Sequence, residues 1–160
     1  MLQKLVEVEL GEILTARGLT LAAAESCTGG LVSHRITNVP GSSVYFLGGV
    51  ISYANAAKVG LVGVDPVTLE RFGAVSRQTV IEMARGVRKT LKADIGIAIS
   101  GIAGPGGGTA EKPVGLTWIG LSAGTVDETR EHRWPGDRLA VKEQSAQAAL
   151  ELILEYLKRS

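Results

Sequence analysis

The segment Glu-Ser-Cys-Thr-Gly-Gly at residues 25–30 groups side chains that could do nucleophilic chemistry. The Ser26 hydroxyl and the Cys27 thiol are both potential nucleophiles. Thr28–Gly30 leads into a predicted helix, whose first backbone N–H groups have no partner within the helix and therefore favour an anion. The segment suits an anionic substrate, although Thr28 could serve only as the N-cap of that helix.

A tyrosine and a lysine lie close together in a second segment, from Tyr53 to Lys58. If Asn55 caps a helix, Lys58 falls in its first turn, where the helix dipole opposes a positive charge by about 0.3–1 kcal/mol. That opposition, with some burial, would lower the pKa of the lysine from its usual ~10.4 towards the range of a general base. Tyr53 could then relay a proton between Lys58 and a serine. Spacing alone is equally compatible with a purely structural interpretation, in which Tyr53 is a half-buried aromatic residue of a strand and Lys58 is a solvated surface residue.

A third segment, residues 100–115, is rich in glycine and follows a predicted buried strand. It is not a Walker A loop, because it lacks the Lys-Ser/Thr pair that ends that motif. It is not a dinucleotide-binding fingerprint either, because that motif is followed by a helix and this segment is followed by a predicted strand. Glycines allow a ligand to approach main-chain N–H groups closely. We predict a substrate cradle, with a disordered surface loop as the alternative. The residues assigned to this cradle are Ser100, Gly101, Gly104, Gly106, Gly107 and Gly108.

Cys27 and the two histidines are the remaining candidates for catalysis. A thiolate at a helix N-terminus is activated, so Cys27 could be a nucleophile, whereas a buried cysteine would be inert; we favour the buried cysteine. His132 could act as a base but suits a surface position on its predicted strand. His34 falls within the second predicted helix and suits a structural role.

The elements that must position these residues are predicted from apolar patterns. Runs at residues 19–24, 44–53 and 95–99 predict strands, and segments 114–122 and 126–134 predict a hairpin. Because the first strands alternate with predicted helices, the sequence predicts an α/β fold. We expect a single-domain three-layer sandwich, a mixed β-sheet flanked by helices.

Helix signals lie between and around these strands. Apolar spacing from Leu2 to Leu14 predicts a first helix that ends at Gly18. Further helix starts are predicted after Gly30, at Asn55, at Asp65-Pro66 and at Ser76, and a last helix from about Arg138 to Lys158.

Composition narrows the class of protein. The 160 residues, 45% of them hydrophobic, fit one domain, 1–160. A net charge of +1 lacks the basic excess of a nucleic-acid binder. A single cysteine allows no internal disulfide or thiolate cluster, and no metal or cofactor is expected. Without a membrane span or signal-peptide core, we expect an unprocessed, soluble cytoplasmic protein with no membrane partner. We also expect it to form a homo-oligomer.

Six short motifs follow one another in a specific order between residues 25 and 138. They are Glu25-Ser-Cys-Thr-Gly-Gly30, Pro40-Gly-Ser-Ser43, Gly48-Gly-Val-Ile-Ser-Tyr53-x-Asn55-x-x-Lys58, Ser100-Gly-Ile-Ala-Gly-Pro-Gly-Gly-Gly108, Lys112-Pro-Val-Gly115 and Gly136-Asp-Arg138. Together they closely resemble the CinA C-terminal-domain family, whose known activity is nicotinamide-nucleotide amidohydrolase. The resemblance implies that the chain removes ammonia from the carboxamide of nicotinamide mononucleotide, leaving nicotinic acid mononucleotide. Longer family members carry an additional N-terminal domain associated with nucleotide pyrophosphatase activity; we expect domain and activity to be missing here.

The resemblance also implies a serine amidohydrolase with a tyrosine and a lysine as helpers. Tyr53 and Lys58 match the family motif directly, and Ser43 and Ser26 both lie at motif positions. Ser43 is preferred as the nucleophile because it leads into the strand that ends at Tyr53. Ser26 would then bind substrate with Thr28, Gly29 and Gly30.

The remaining implied contacts concern the phosphate of the substrate. Arg138 resembles a phosphate or carboxylate partner, with a helix-surface role as the alternative. Lys142 departs from the family, where we would expect arginine, so a bidentate phosphate contact there would be lost. The Thr28–Gly30 helix start and the 100–108 loop would grip the ribose phosphate, and loop amides would hold the oxyanion. Alternative functions are a non-catalytic nucleotide-binding module or a competence-related scaffold.

Overall fold

Five strands form a mixed sheet at the centre of the computed structural model, which describes residues 3–160. The strands are β1 Leu21–Glu25, β2 Phe46–Ile51, β3 Ile95–Gly101, β4 Leu116–Ala123 and β5 Val126–Arg133. The sheet order is β2-β1-β3-β4-β5; β1, β2 and β3 are parallel to one another, β4 is antiparallel to β3, and β5 is antiparallel to β4. All five predicted strands are confirmed, including the hairpin of β4 and β5.

Six α-helices and one short 3-10 helix, Ser42–Val44, surround the sheet in the described part of the chain. Leu2, which the sequence places in the first helix, lies outside the described residues. The helices are α1 Val6–Arg17, α2 Leu31–Thr37, α3 Asn55–Val62, α4 Pro66–Phe72, α5 Arg77–Leu91 and α6 Arg138–Arg159.

Most helix ends follow from local sequence. Gly18 adopts φ 65° and ends α1, as predicted, because the left-handed conformation costs glycine little. The side chains of Asp65 and Ser76 cap α4 and α5 by accepting hydrogen bonds from backbone N–H groups in the first turn of each helix. Asn55 is not a cap as predicted: it is the first residue of α3, and Ala54 occupies the N-cap position.

The helices cover both faces of the sheet, which confirms the three-layer sandwich. Helices α1, α2 and α6 pack on one face, where Leu10, Leu14 and Ile153 meet the odd-numbered residues of β3. Helices α3, α4 and α5 pack on the other face, where Val80 and Met83 belong to the second core. No helix within residues 3–160 has both the length and the apolar character needed to cross a membrane.

The three parallel strands end at the same edge of the sheet. Glu25, the last residue of β1, is paired with Ile51 of β2 on one side and with Ile99 of β3 on the other. In open α/β sheets, the crevice beyond the carboxyl ends of the strands is the usual ligand site. The segments that follow these three strands are the three that the sequence singled out for chemistry.

Candidate active site

Ser26 and Lys58 are hydrogen-bonded to each other just beyond the end of β1. The Nζ of Lys58 lies 3.0 Å from Ser26 Oγ. It also donates to the carbonyl oxygens of Ser52 and Tyr53, each at 3.0 Å. Both side chains are buried, with relative exposures of 8% for Ser26 and 1% for Lys58. Of these three acceptors only the serine has a proton to give, so a neutral Lys58 amine would receive that proton.

Burial lowers the pKa of Lys58 below its ordinary value. The amine has no carboxylate partner among residues 3–160 to favour its charged form. The direction of this pKa shift agrees with the prediction, and its largest cause is the burial of the amine. Lys58 is the fourth residue of α3, one position beyond the predicted one, because the helix begins without Asn55 as its cap.

Ser43 does not belong to this site, which corrects the sequence-based preference for it as the nucleophile. It is exposed in the 3-10 helix that precedes β2, whereas Lys58 and Tyr53 follow the other end of that strand. The sequence correctly placed Ser43 before the strand that ends near Tyr53. However, Ser43 and Tyr53 lie at opposite ends of that strand, so the serine is far from the tyrosine and the lysine. Ser26 is the serine next to the lysine.

The Tyr53 side chain faces Arg138, and not the serine and lysine. Its hydroxyl accepts a hydrogen bond from Arg138 Nη2 at 3.0 Å, while Arg138 Nη1 donates to the carbonyl oxygen of Gly104 at 2.8 Å. Among the described residues, the hydroxyl contacts neither Ser26 nor Lys58; only the Tyr53 carbonyl reaches the lysine. Arg138 therefore joins the β2–α3 connection to the glycine-rich loop.

A buried glutamate occupies the start of α2, where a substrate anion was expected. Glu25 is fully buried and accepts hydrogen bonds from the backbone of Val32 and Ser33 at 2.9 and 3.0 Å. It also accepts from the Ser33 and Thr28 hydroxyls, each at 2.7 Å. The Thr28 hydroxyl is thus bound to Glu25 and does not cap the helix; the N-cap is Gly30, with φ 104°. The amides of Val32 and Ser33, where the sequence led us to expect a phosphate, are already bonded to this carboxylate of the protein.

Backbone N–H groups remain free directly after Ser26. The amides of Cys27 and Thr28 have no hydrogen-bond partner within residues 3–160. Ser26 N–H donates to Ile99 and Gly29 N–H donates back to Ser26, so the turn that presents these two amides is fixed at both ends. Free amides next to a nucleophile are suited to stabilise an oxyanion.

The glycine-rich loop forms one wall of a cavity of about 290 Å³ that contains Ser26 and Lys58. The predicted residues brought together there, besides these two, are Cys27, Tyr53, Ser100, Gly101, Gly104, Gly106, Gly107 and Arg138. Gly108 lies outside the cavity, packed against the backbone of Val114. Gly29 and Gly30 also lie outside it, and Ser100 Oγ donates to the carbonyl of Ala74 at 2.8 Å.

Sequence reasoning missed five residues that line this cavity. Two of them, Ile102 and Ala103, belong to the glycine-rich segment but were not assigned to the cradle, and the other three lie outside that segment. Asn55, interpreted as a cap, is exposed to it, and Ala74 and Val75 reach it from the loop before α5. Asn55 is two residues from Tyr53 and has a polar side chain, so the sequence contained enough information to include it among the candidate site residues. Nothing in the sequence marks Ala74 or Val75, because small apolar residues in a loop carry no chemical pattern.

The other singled-out residues lie away from the cavity. His132 is half-buried and stacked on Trp134 with ring centroids 4.4 Å apart, and burial lowers its pKa. His34 is exposed on α2 beside Asn38. The Lys142 ammonium lies over Gly29. No group of three or more His, Cys, Asp or Glu side chains in residues 3–160 could hold a metal ion.

A larger cavity, of about 570 Å³, lies between α2 and α6. Leu31, Arg35 and Trp134 are among its lining residues. It contains no nucleophile next to a base, so volume alone does not identify the reactive site. The smaller cavity holds that combination.

Cys27 is expected to be dispensable for catalysis. Its thiol is 5% exposed, and burial raises its pKa to about 12, so the unreactive protonated form prevails at neutral pH. We expect Cys27→Ala to keep turnover within about threefold of the parent, measured as ammonia release. The native protein should react slowly with a thiol reagent, and the urea-unfolded chain should react at once. A loss of ~10²-fold or more in Cys27→Ala, with the fold intact, would contradict an inert thiol.

Glu25 is expected to be essential for stability. Glu25→Gln replaces one of its two acceptor oxygens with an N–H donor that faces other donors, leaving buried groups without partners. We expect a loss of roughly 2–4 kcal/mol in the free energy of unfolding, measured by urea denaturation. Glu70→Gln on exposed α4 is the matched control and should change it by less than about 0.5 kcal/mol. Equal effects in the two variants would show that Glu25 does not hold this junction.

Fold and site define an α/β domain with a buried serine and lysine at the carboxyl edge of its sheet. The CinA C-terminal domain family matches residues 3–157, and the chain belongs to this family. A relative in Moorella thermoacetica, named as competence-damage inducible, is 54% identical over 153 residues, which are 96% of this chain and 37% of that protein. A CinA-like protein of Salinibacter ruber is 48% identical over 146 residues, 91% of this chain and 35% of its own length.

Solved structures share the same fold. A competence-damaged protein (CinA) superfamily protein from Klebsiella pneumoniae is 34% identical, with a TM-score of 0.94 over 99% of this chain and 100% of that one. The competence/damage inducible protein CihA from Agrobacterium tumefaciens is 38% identical, with a TM-score of 0.89 over 99% and 98% of the two chains. The chain spans little more than a third of the length of the curated relatives it matches.

Proposed function

We propose that this domain hydrolyses the carboxamide of nicotinamide mononucleotide, with Ser26 as the nucleophile and Lys58 as the general base. The contact that carries the proposal is the 3.0 Å hydrogen bond between Ser26 Oγ and a lysine amine that is buried without a carboxylate partner. A serine is a weak nucleophile at its ordinary pKa and needs an adjacent base. Membership of the CinA C-terminal domain family supports the assignment.

In the first half of the proposed reaction, Ser26 Oγ attacks the carboxamide carbon and its proton passes to Lys58 Nζ. We assign the oxyanion of the tetrahedral intermediate to the free N–H of Cys27, which lines the cavity and donates a hydrogen bond to the oxyanion. When the C–N bond breaks, the Lys58 ammonium gives its proton to the leaving nitrogen, so ammonia departs and an ester on Ser26 remains.

In the second half, a water molecule takes the place of ammonia beside Lys58. The amine removes a proton from the water as its oxygen attacks the ester carbon. Collapse of this second intermediate breaks the bond to Ser26 Oγ, which takes the proton back from Lys58. Nicotinic acid mononucleotide leaves, and both side chains return to their initial state.

The charge of the cavity favours an anionic substrate. With Lys58 neutral, Arg138 is the only charged residue among the described ones that line it, and no carboxylate of residues 3–160 lines it. Because its volume of about 290 Å³ is small for a small-molecule site, we assign the nicotinamide ring to it and the ribose phosphate to its opening. We assign the phosphate to Arg138, whose fork is held by Tyr53 and Gly104. Tyr53 is then a substrate contact at the opening.

Incubation with nicotinamide mononucleotide tests the proposal. We expect stoichiometric ammonia and nicotinic acid mononucleotide, with a lower kcat/KM for the uncharged nicotinamide riboside. A non-catalytic nucleotide-binding module would be stabilised thermally by the nucleotide without releasing ammonia. A scaffold would show neither effect, and either result would contradict the proposed hydrolysis.

A further inference from the structure

The two edges of the sheet differ sharply in charge. The strand at one edge, β5, carries five charged residues among its eight. The strand at the other edge, β2, carries none among its six. Moreover, β2 lies within an uncharged run of 22 residues, from Ile36 to Ala57, in a chain with 21% charged residues. Charged side chains on an edge strand oppose pairing with another strand, so β5 is protected and β2 is not.

The outer side of β2 is also open. Within residues 3–160, its backbone is hydrogen-bonded to β1 and to no other element. Its outward N–H and C=O groups are therefore available to a further strand. Two large apolar side chains stand exposed on β2, at 43% for Leu47 and 53% for Ile51, and Val44, at 66%, stands exposed in the 3-10 helix just before it. A bulge at Leu47, where pairing with β1 shifts register, leaves Gly48–Ile51 as the regular part of the edge.

We propose that β2 pairs with the β2 strand of a second copy of this chain, joining two five-stranded sheets across a twofold axis. A twofold contact uses the same surface on both partners, so any charged residue near the axis would face its own copy. The uncharged β2 avoids that repulsion, and antiparallel pairing satisfies its open backbone groups. Leu47 and Ile51 would lose exposed surface at this contact, as would their counterparts on the partner. This inference does not depend on the proposed reaction.

The test compares one substitution at each edge. Leu47 and Val126 have the same exposure, 43%, and lie on β2 and β5 respectively. We expect the parent and Val126→Glu to have about twice the monomer mass of 16.7 kDa by light scattering, and Leu47→Glu to have the monomer mass. A monomeric parent at tens of micromolar, a dimeric Leu47→Glu or a monomeric Val126→Glu would each overturn the proposal. A peptide partner bound to the edge of a monomeric parent would overturn it as well.

Amide hydrogen exchange on the unmodified protein covers the case in which Leu47→Glu does not fold. We expect slow exchange in Phe46–Ile51 at high protein concentration and faster exchange on dilution, because the outward amides lose their partners. Residues of β3, inside the sheet, serve as the internal reference and should not respond to dilution. Fast exchange at every concentration along one side of β2 would contradict a paired edge.

Discussion

Replacing Ser26 by alanine is expected to lower the rate of ammonia release from nicotinamide mononucleotide by roughly 10³-fold or more. Within residues 3–160, the change removes the only hydroxyl that is hydrogen-bonded to the Lys58 amine. The hydroxyl is small and 8% exposed, so the free energy of unfolding should change little by comparison. The measurement is steady-state kinetics of the purified variant, with circular dichroism to show that it is folded.

Ser43→Ala is the matched control for this loss. It makes the same chemical change at the other serine of the family motifs, which is exposed at the opposite end of β2. We expect its turnover to remain within about twofold of the parent. A large loss in Ser43→Ala, or near-normal turnover in Ser26→Ala, would reverse the assignment of the nucleophile.

Replacing Lys58 by methionine is expected to lower kcat by roughly 10²-fold or more. Methionine keeps the length and apolar stem of the side chain but removes the amine that receives the Ser26 proton. Substrate affinity should change much less, because the phosphate is assigned to Arg138. Lys89→Met, at an exposed position on α5, is the control and should have parent activity.

The pH dependence gives this prediction a second readout. Only the neutral amine is a base, so kcat/KM of the parent should rise with pH as Lys58 loses its proton. Because burial lowers the pKa of Lys58, the midpoint should fall below the ordinary ~10.4. The residual activity of Lys58→Met should lack this rise. A variant with the same profile as the parent would show that another group titrates.

The architecture was predictable because its signals are local. The continuous apolar run at Ile95–Ile99 predicts a strand covered on both faces, and the alternation of strands with helices predicts layers. The caps at Asp65 and Ser76 follow from side chains that bond their own helix starts. The prediction that Asn55 caps α3 was wrong, because the residue type alone does not determine the backbone conformation at that position.

The site was predictable only in its parts. Lys58 and Ser26 lie 32 positions apart, and their contact depends on β1 and β2 being adjacent and parallel. The spacing of residues in the sequence does not reveal how the two strands are paired, so the sequence could not decide which of the two serines is the nucleophile. The role of Glu25 was missed for the same kind of reason, since a buried carboxylate that folds back onto α2 looks like an ordinary charged residue in the sequence.

The protonation state of Lys58 is the central claim of this mechanism, and NMR titration of its side-chain nitrogen in the folded protein measures it directly. Lys58→Met identifies the resonance by its absence. We expect the amine to lose its proton below the ordinary value of ~10.4, with the same midpoint as the rise in kcat/KM. An amine that stays charged throughout the pH range of activity would contradict the account.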